Sequence, residues 1–215
     1  MSKKIKFILI SFLLTFIIIL NYQNKVHSNS KIQESISDKI IRFHVIASSD
    51  RDDDQALKLT IKNHVLEYMK EPLSKSESLE DTKKILREED SNIIKLIKEV
   101  IKNNISPSSN DPIPTVTTSI EEVYFPIKSY GNLTLPAGNY TAFRIILGEG
   151  KGSNWWCVLY PPLCFIDATH GIVPDSSRED FKALLTQEEY EAILSEEITP
   201  GQIKFKFKIL KFLNP

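Results

Sequence analysis

Strand signals crowd together between Val116 and Tyr160, after one isolated strand and two helical stretches, and that order leaves few ways to fold the chain. Ile41, Phe43 and Val45 alternate with Arg42, His44 and Ile46, the period of a half-buried strand that stops at Ser48-Ser49-Asp50. Asp52 stands three residues before Gln55, a capping-box-like helix start, and Leu57, Ile61, Val65 and Tyr68 form one apolar stripe. Pro72 is expected to end this helix. A second helix from Leu79 to about Lys102 turns Leu86, Ile93, Ile97 and either Val100 or Ile101 to the core.

The proline-, serine- and asparagine-rich stretch at 103–115 reads as a flexible loop. Strands then follow at Val116 to Phe125, Tyr140 to Leu147 and Trp155 to Tyr160. Pro136 and Gly138 suit a type I turn, and Gly148 to Gly152 suits a tight link. Arg178 to Glu197 carries a third helix with Phe181, Leu184, Leu185, Tyr190 and Ile193 as its apolar positions. Thr186 before Gln187-Glu188-Glu189 offers a second start within it. Ile203 to Phe207 alternates with Lys204, Lys206 and Lys208 and is expected to be a final, lysine-lined edge strand. The expected fold class is α+β, a largely antiparallel sheet with two to three helices packed on one of its faces, in a single domain over 38–213.

At the N-terminus Lys3, Lys4 and Lys6 precede an uncharged apolar run from Phe7 to Leu20, followed by Val26-His27-Ser28. This pattern marks residues 1–28 as a signal peptide or an N-terminal membrane anchor. The run is short for a straight span of about 20 residues, which favours cleavage; an anchor extended through Asn21 and Tyr22 is the alternative. In either case the rest of the chain is expected outside the cytoplasm. The leader holds four lysines and no acid, so 23 of 27 basic and all 28 acidic side chains remain beyond it, a net charge of −5. Such a surface disfavours nucleic acid, whose binding draws on phosphate neutralisation by lysine and arginine.

Catalytic templates fail on particular residues. The glycines from Gly148 lack a phosphate-loop ending, because Lys151 is followed by Gly152. Asp50, Asp52, Asp53 and Asp54 lack the central glycine and distal glutamate of a calcium loop, and acids at a helix start already have a structural reason to be there. His27, His44, His64 and His170 show no zinc spacing. A cysteine hydrolase would combine Cys157 or Cys164 with His170 and Asp167 or Asp175, but a strand beside prolines does little to lower a thiol pKa. If Tyr160 and Pro161 form a hairpin tip, Cys157 and Cys164 lie close enough to pair; two buried free thiols are the alternative. Consecutive strand residues point to opposite faces, so Trp155 and Trp156 cannot both fill one core. An outward tryptophan near Pro161 and Pro162 has the composition of an interface anchor.

Two blocks carry a family resemblance. Ile41-Arg42-Phe43-His44-Val45-Ile46-Ala47, Ser49-Asp50 and Asp54 to Leu59 form the first. Tyr130 to Tyr140, Gly148 to Gly152 and Asn154 to Phe165 form the second. Together they resemble stage II sporulation protein R of endospore-forming bacteria. The resemblance implies a non-enzymatic signalling protein without a cofactor or metal, made in the forespore and exported into the space between forespore and mother-cell membranes. Its implied partner is a membrane-embedded aspartic protease of the mother cell, which then processes the pro-form of the early mother-cell sigma factor. It would touch a membrane only through an uncleaved leader. The surface expected to meet this partner combines Arg42, His44, Lys151, Trp155, Trp156, Pro161 and Pro162. An exported cysteine-dependent hydrolase acting on the cell wall is the alternative.

Overall fold

The computed structural model describes residues 30–104, 113–165, 173 and 175–194, together with residues 12, 13, 15, 16, 19 and 20. Apart from those six positions the leader lies outside the described residues, as do 105–112 of the expected loop, His170, Asp167 and the expected strand Ile203 to Phe207. Among the described residues no helix is long and apolar enough to cross a membrane.

A helix at 30–37 (α1) leads into strand β1 (Ile41–Ile46), followed by α2 (Asp52–Ser74), α3 (Leu79–Asn104) and β2 (Val116–Phe125). The short strands β3 (Lys128–Tyr130) and β4 (Leu133–Leu135) come next, then β5 (Gly138–Leu147), β6 (Asn154–Tyr160), α4 (Asp175–Leu184) and α5 (Gln187–Ile193). The four long strands form one sheet in the order β2-β5-β1-β6, in which only β1 and β5 run parallel. The class is α+β. Parallel neighbours need a long crossover, here supplied by α2, α3 and β2.

Pairing register sorts the side chains onto two faces. Phe43 and Val45 align with Phe143 and Ile145, and this face carries α2 and α3: Thr118 Oγ1 donates to Asp90 of α3 at 2.6 Å, and Lys62 of α2 lies over Trp155. Arg42 and His44 align with Ala142 and Arg144 on the opposite face. There α1 and the β3–β4 ribbon cover the sheet, so helices occupy both faces rather than one. A Cβ on Gly138 would stand 2.1 Å from Gln33 of α1, which explains glycine at that position. All six residues of β1 are consequently buried, where alternation predicted a half-buried strand.

Local chemistry explains most element boundaries and corrects three. Helix α2 continues past Pro72 to Ser74, because a proline in the last turn forfeits one backbone bond and its own carbonyl accepts from Lys75 N–H at 3.3 Å. Its N-cap is Arg51 without a side-chain cap bond; Gln55 is instead drawn to Ser49 O at 2.8 Å. Pro136 to Gly138 is a bend, with Gly138 already in β5 and Tyr140 Oη donating to Pro136 O at 2.7 Å. Helix α3 starts on Ser78, whose Oγ accepts from Asp81 N–H, and buries both Val100 and Ile101. The third helix is two, since Thr186 and Glu189 form a reciprocal capping box that restarts the helix as α5.

Glu189 does a second job. Its carboxylate accepts from Lys39 at 2.5 and 2.8 Å and from Ser35 at 2.5 Å, tying α5 to the segment that enters β1. Burial pushes this carboxyl up, yet the bonds from Lys39, Ser35 and the Thr186 N–H outweigh that and hold it down at about 2.

Candidate functional site

The two sequence blocks meet at the end of the sheet where β1 and β5 both finish. Gly148 and Gly150 take positive φ angles of 56° and 62°, turning the link back against β1. Lys151 N–H donates to Ser48 O at 3.2 Å and Gly152 N–H to Ala47 O at 3.0 Å. A Cβ on Gly152 would fall 2.2 Å from the Ser49 carbonyl oxygen. Asp50 then accepts from the Ser153 N–H and hydroxyl at 2.6 and 2.7 Å, bonds that hold its carboxyl below the usual range. Lys58, buried in α2, donates to Ser153 O at 3.0 Å and Gln55 Oε1 at 2.6 Å. The acidic loop is therefore a clasp on the other block. Among the described residues no group of three or more His, Cys, Asp or Glu side chains is arranged to hold a metal.

On the face covered by the ribbon, Arg42 is enclosed by aromatic rings. Its guanidinium carbon lies 4.5 Å from the ring centre of Phe125, 5.2 Å from that of Tyr140 and 5.7 Å from that of Tyr130. Nη2 donates to Tyr130 Oη at 3.0 Å, whereas among the described residues Nε and Nη1 have no acceptor. Arg42 is 0 % exposed, and burial lowers its pKa from the ordinary arginine value.

His44 extends the same cluster. Its ring stacks on Trp156 at 3.8 Å, Nε2 meets Asn154 Oδ1 at 2.8 Å, and Nδ1 has no partner among the described residues. Burial, opposed by the Asn154 bond and reinforced by Arg144, brings its pKa down to about 4, so the ring is neutral near pH 7. The carbonyl-type Oδ1 then accepts from a protonated Nε2. Phe125 stands edge-on to Trp156 at 4.6 Å, and Lys128 of the ribbon lies 5.6 Å from the Trp156 ring centre.

Arg42 and His44 are thus withdrawn from direct contact with a partner, since the ribbon and the neighbouring rings cover them. The two tryptophans divide between the faces, Trp155 edge-on to Phe43 at 5.7 Å and Trp156 on His44, each partly buried. Pro161 is buried; Pro162 and Lys151 are exposed, the latter paired with Glu149 at 2.6 Å. Cys157 and Cys164 form a disulfide with a Cα separation of 5.6 Å, and Leu163 and Cys164 N–H groups both donate to Val158 O. With both sulfurs bonded, neither is a nucleophile for the hydrolase alternative. Sequence reasoning missed Lys128, and quoted Phe125, Tyr130, Tyr140 and Asn154 only as members of strands and blocks, without placing them around Arg42 and His44. Phe125 and Tyr140 meet through the long-range pairing of β2 and β5, Asn154 arrives on β6 beside β1, and Lys128 and Tyr130 come in on the ribbon.

This geometry lies inside a recognisable unit. The family profile described as stage II sporulation protein R matches residues 37–170, which include all six described strands. The chain belongs to the stage II sporulation protein R family. It is 37 % identical over 136 residues to "Stage II sporulation protein R" of Bacillus subtilis (strain 168). The aligned part covers 63 % of this chain and 58 % of that relative, so the match spans well under two thirds of the relative's length. No solved structure matches the chain. The clasp and the Arg42–His44 cluster both fall within the family segment, whereas α4 and α5 lie beyond it.

Proposed function

We propose that this chain is an exported sporulation signal, made in the forespore, that activates a membrane-embedded aspartic protease of the mother cell. The protease then processes the pro-form of the early mother-cell sigma factor. The observation that carries this reading is family membership across the entire sheet, residues 37–170. The basic and apolar leader pattern of residues 1–28 supports export.

A protein that acts by binding alone activates a protease only if it binds the active state better than the inactive one. Differential binding of about 3 to 5 kcal/mol takes a mostly inactive receptor to a mostly active one. The contact surface in this reading is the outer edge of β6 with exposed Lys151, Pro162 and the accessible parts of Trp155 and Trp156. Arg42 and His44 shape that surface from beneath. The test is reconstitution in a non-sporulating bacterium that carries the pro-sigma factor and its membrane protease, read as cleavage on a blot. Cleavage that requires the chain and its leader is the expected outcome. Its absence, with exported and folded protein confirmed, removes the signalling role.

A further inference from the structure

Helix α3 sorts its charges by sign. Lys84, Arg87, Ser91, Lys95, Lys98 and Lys102 follow one another at steps of three or four residues, so they share one face over about 27 Å of helix. All six are exposed, on the side away from the buried Ile93, Ile97 and Val100. Lys84 reaches Glu88 at 3.9 Å. Among the described residues Arg87, Lys95, Lys98 and Lys102 make no hydrogen bond or ion pair.

The other acids of α3 are almost all engaged. Glu80 holds Lys83 at 2.8 Å, Asp81 accepts from Ser78, Glu89 from Tyr68 and Asn92, and Asp90 from Thr118. Only Glu99 stands unpaired beside the stripe among the described residues. On α2 the exposed charges mix instead, as Glu67, Lys70, Glu71 and Lys75, with the last two paired at 2.9 Å. Solubility is served by mixed signs, and the helix dipole accounts at most for Lys102 in the last turn. A one-sign stripe on a chain whose net charge beyond residue 28 is −5 points to an anionic counterpart.

The residue type selects among anions. Protein interfaces draw on aromatic and arginine anchors seated in pockets, and they are poor in lysine. This stripe is mostly lysine on a convex helix. Lys95, Lys98 and Lys102 line a shallow depression of about 370 Å³, in which Ile94 is the one apolar side chain among the described lining residues. A flexible ammonium is a point charge, which suits a fluid surface of phosphates better than a shaped site.

We propose that the α3 stripe from Arg87 to Lys102 is a docking face for anionic phospholipid headgroups, which lays the helix flat on a membrane surface independently of the leader. Helix α3 packs over β2 through the Thr118–Asp90 bond, whereas Lys62 of α2 lies over Trp155 of β6. This contact therefore leaves the β6 edge, on the far side of the sheet, clear of the lipid. The docking face goes beyond the signalling reading, and its test needs no protease.

The test uses the full chain, leader included, on vesicles of phosphatidylcholine alone and of equal parts phosphatidylcholine and phosphatidylglycerol. An amine-reactive reagent, read by mass spectrometry, should modify Lys95, Lys98 and Lys102 severalfold more slowly on the anionic vesicles, with Lys70 and Lys75 unchanged. The protection should vanish when salt shortens the screening length from about 10 Å at about 0.1 M to about 3 Å at about 1 M. In a mixture of the two vesicle types, each stripe lysine removed should lower the preference for the anionic ones about fivefold, and Lys95→Gln/Lys98→Gln/Lys102→Gln about a hundredfold. Lys70→Gln/Lys75→Gln/Lys182→Gln removes the same charge elsewhere and should leave the preference near wild type. Equal losses in the two triple variants overturn the proposal, because net charge rather than the stripe is then responsible. So does a wild-type modification pattern that is the same on both vesicles. Stripe lysines protected by poly-glutamate but not by phosphatidylglycerol assign the face to an acidic protein and overturn the lipid reading.

Discussion

The two faces of the sheet are built on opposite economies. Beneath α2 and α3, Phe43, Val45, Phe143 and Ile145 meet Ile61, Val65, Ile93 and Ile97 in a core of hydrocarbon whose burial is favourable throughout. Beneath the ribbon and α1, the same strands bury Arg42, His44 and part of Arg144, groups whose removal from water costs free energy. One face is apolar throughout; the other buries Phe125, Tyr140, Leu133 and Leu135 too, but part of that gain is offset by the polar groups enclosed with them. The difference teaches that stability alone does not account for the second face, since apolar residues at Arg42 and His44 would be less costly to bury.

Substitutions can break this comparison. The largest effect belongs to the apolar face: Phe43→Ala removes a ring packed on Phe143 and Trp155, and should cost about 3 to 5 kcal/mol in urea unfolding. Next comes the Glu189 junction, where Glu189→Gln should cost about 2 kcal/mol at pH 7 by weakening the bonds from Lys39, Ser35 and Thr186. The folded pKa of this carboxyl is depressed, so its contribution is present above the ordinary carboxylate value near 4.5 and lost as pH falls towards 2. The variant's deficit should accordingly shrink in that window when unfolding is followed by circular dichroism.

His44 gives a smaller, pH-gated effect. Its folded pKa of about 4 lies below the ordinary 6.5, so the unfolded chain takes up the proton first and stability falls as pH drops from 6.5 to 4. His44→Gln should flatten the stability profile across that interval, and an unchanged slope would mean the ring is not the titrating group. The smallest effect is expected at Arg42. Arg42→Met should leave stability within about 1 kcal/mol of wild type or raise it. A loss as large as that of Phe43→Ala would erase the distinction between the faces.

Much of the apolar face was legible in the sequence, because helix and strand periodicities are local. The long α3 stripe and the full span of β2 emerged with nearly their observed limits. Thr186 announced the start of α5 through its own hydroxyl and the glutamate three residues on. The stripe on α2 was less clear: Ile61 and Val65 are buried, but Tyr68 is 37 % exposed and its hydroxyl reaches Glu89. The ribboned face was largely illegible. Strands as short as β3 and β4 carry no usable period, and the alternation of Arg42 and His44 read as one side of a half-buried strand. What covers them comes from Phe125, Tyr130 and Tyr140, more than 80 residues away in sequence. The clasp was misread for a related reason: an acid just before a helix has a local use, and nothing nearby indicates that Asp50 answers to Ser153.

The placement of β1 between β5 and β6 also sets an order of events. A chain is made N-terminus first, so this strand emerges early and then waits for its two neighbours, which begin about 90 and about 110 residues after it ends. Until β5 has been made, Ile41, Phe43 and Val45 have no strand to join. The sheet closes only when its middle strand is inserted between the last two long strands to be made, like a key that turns once the lock has been assembled around it.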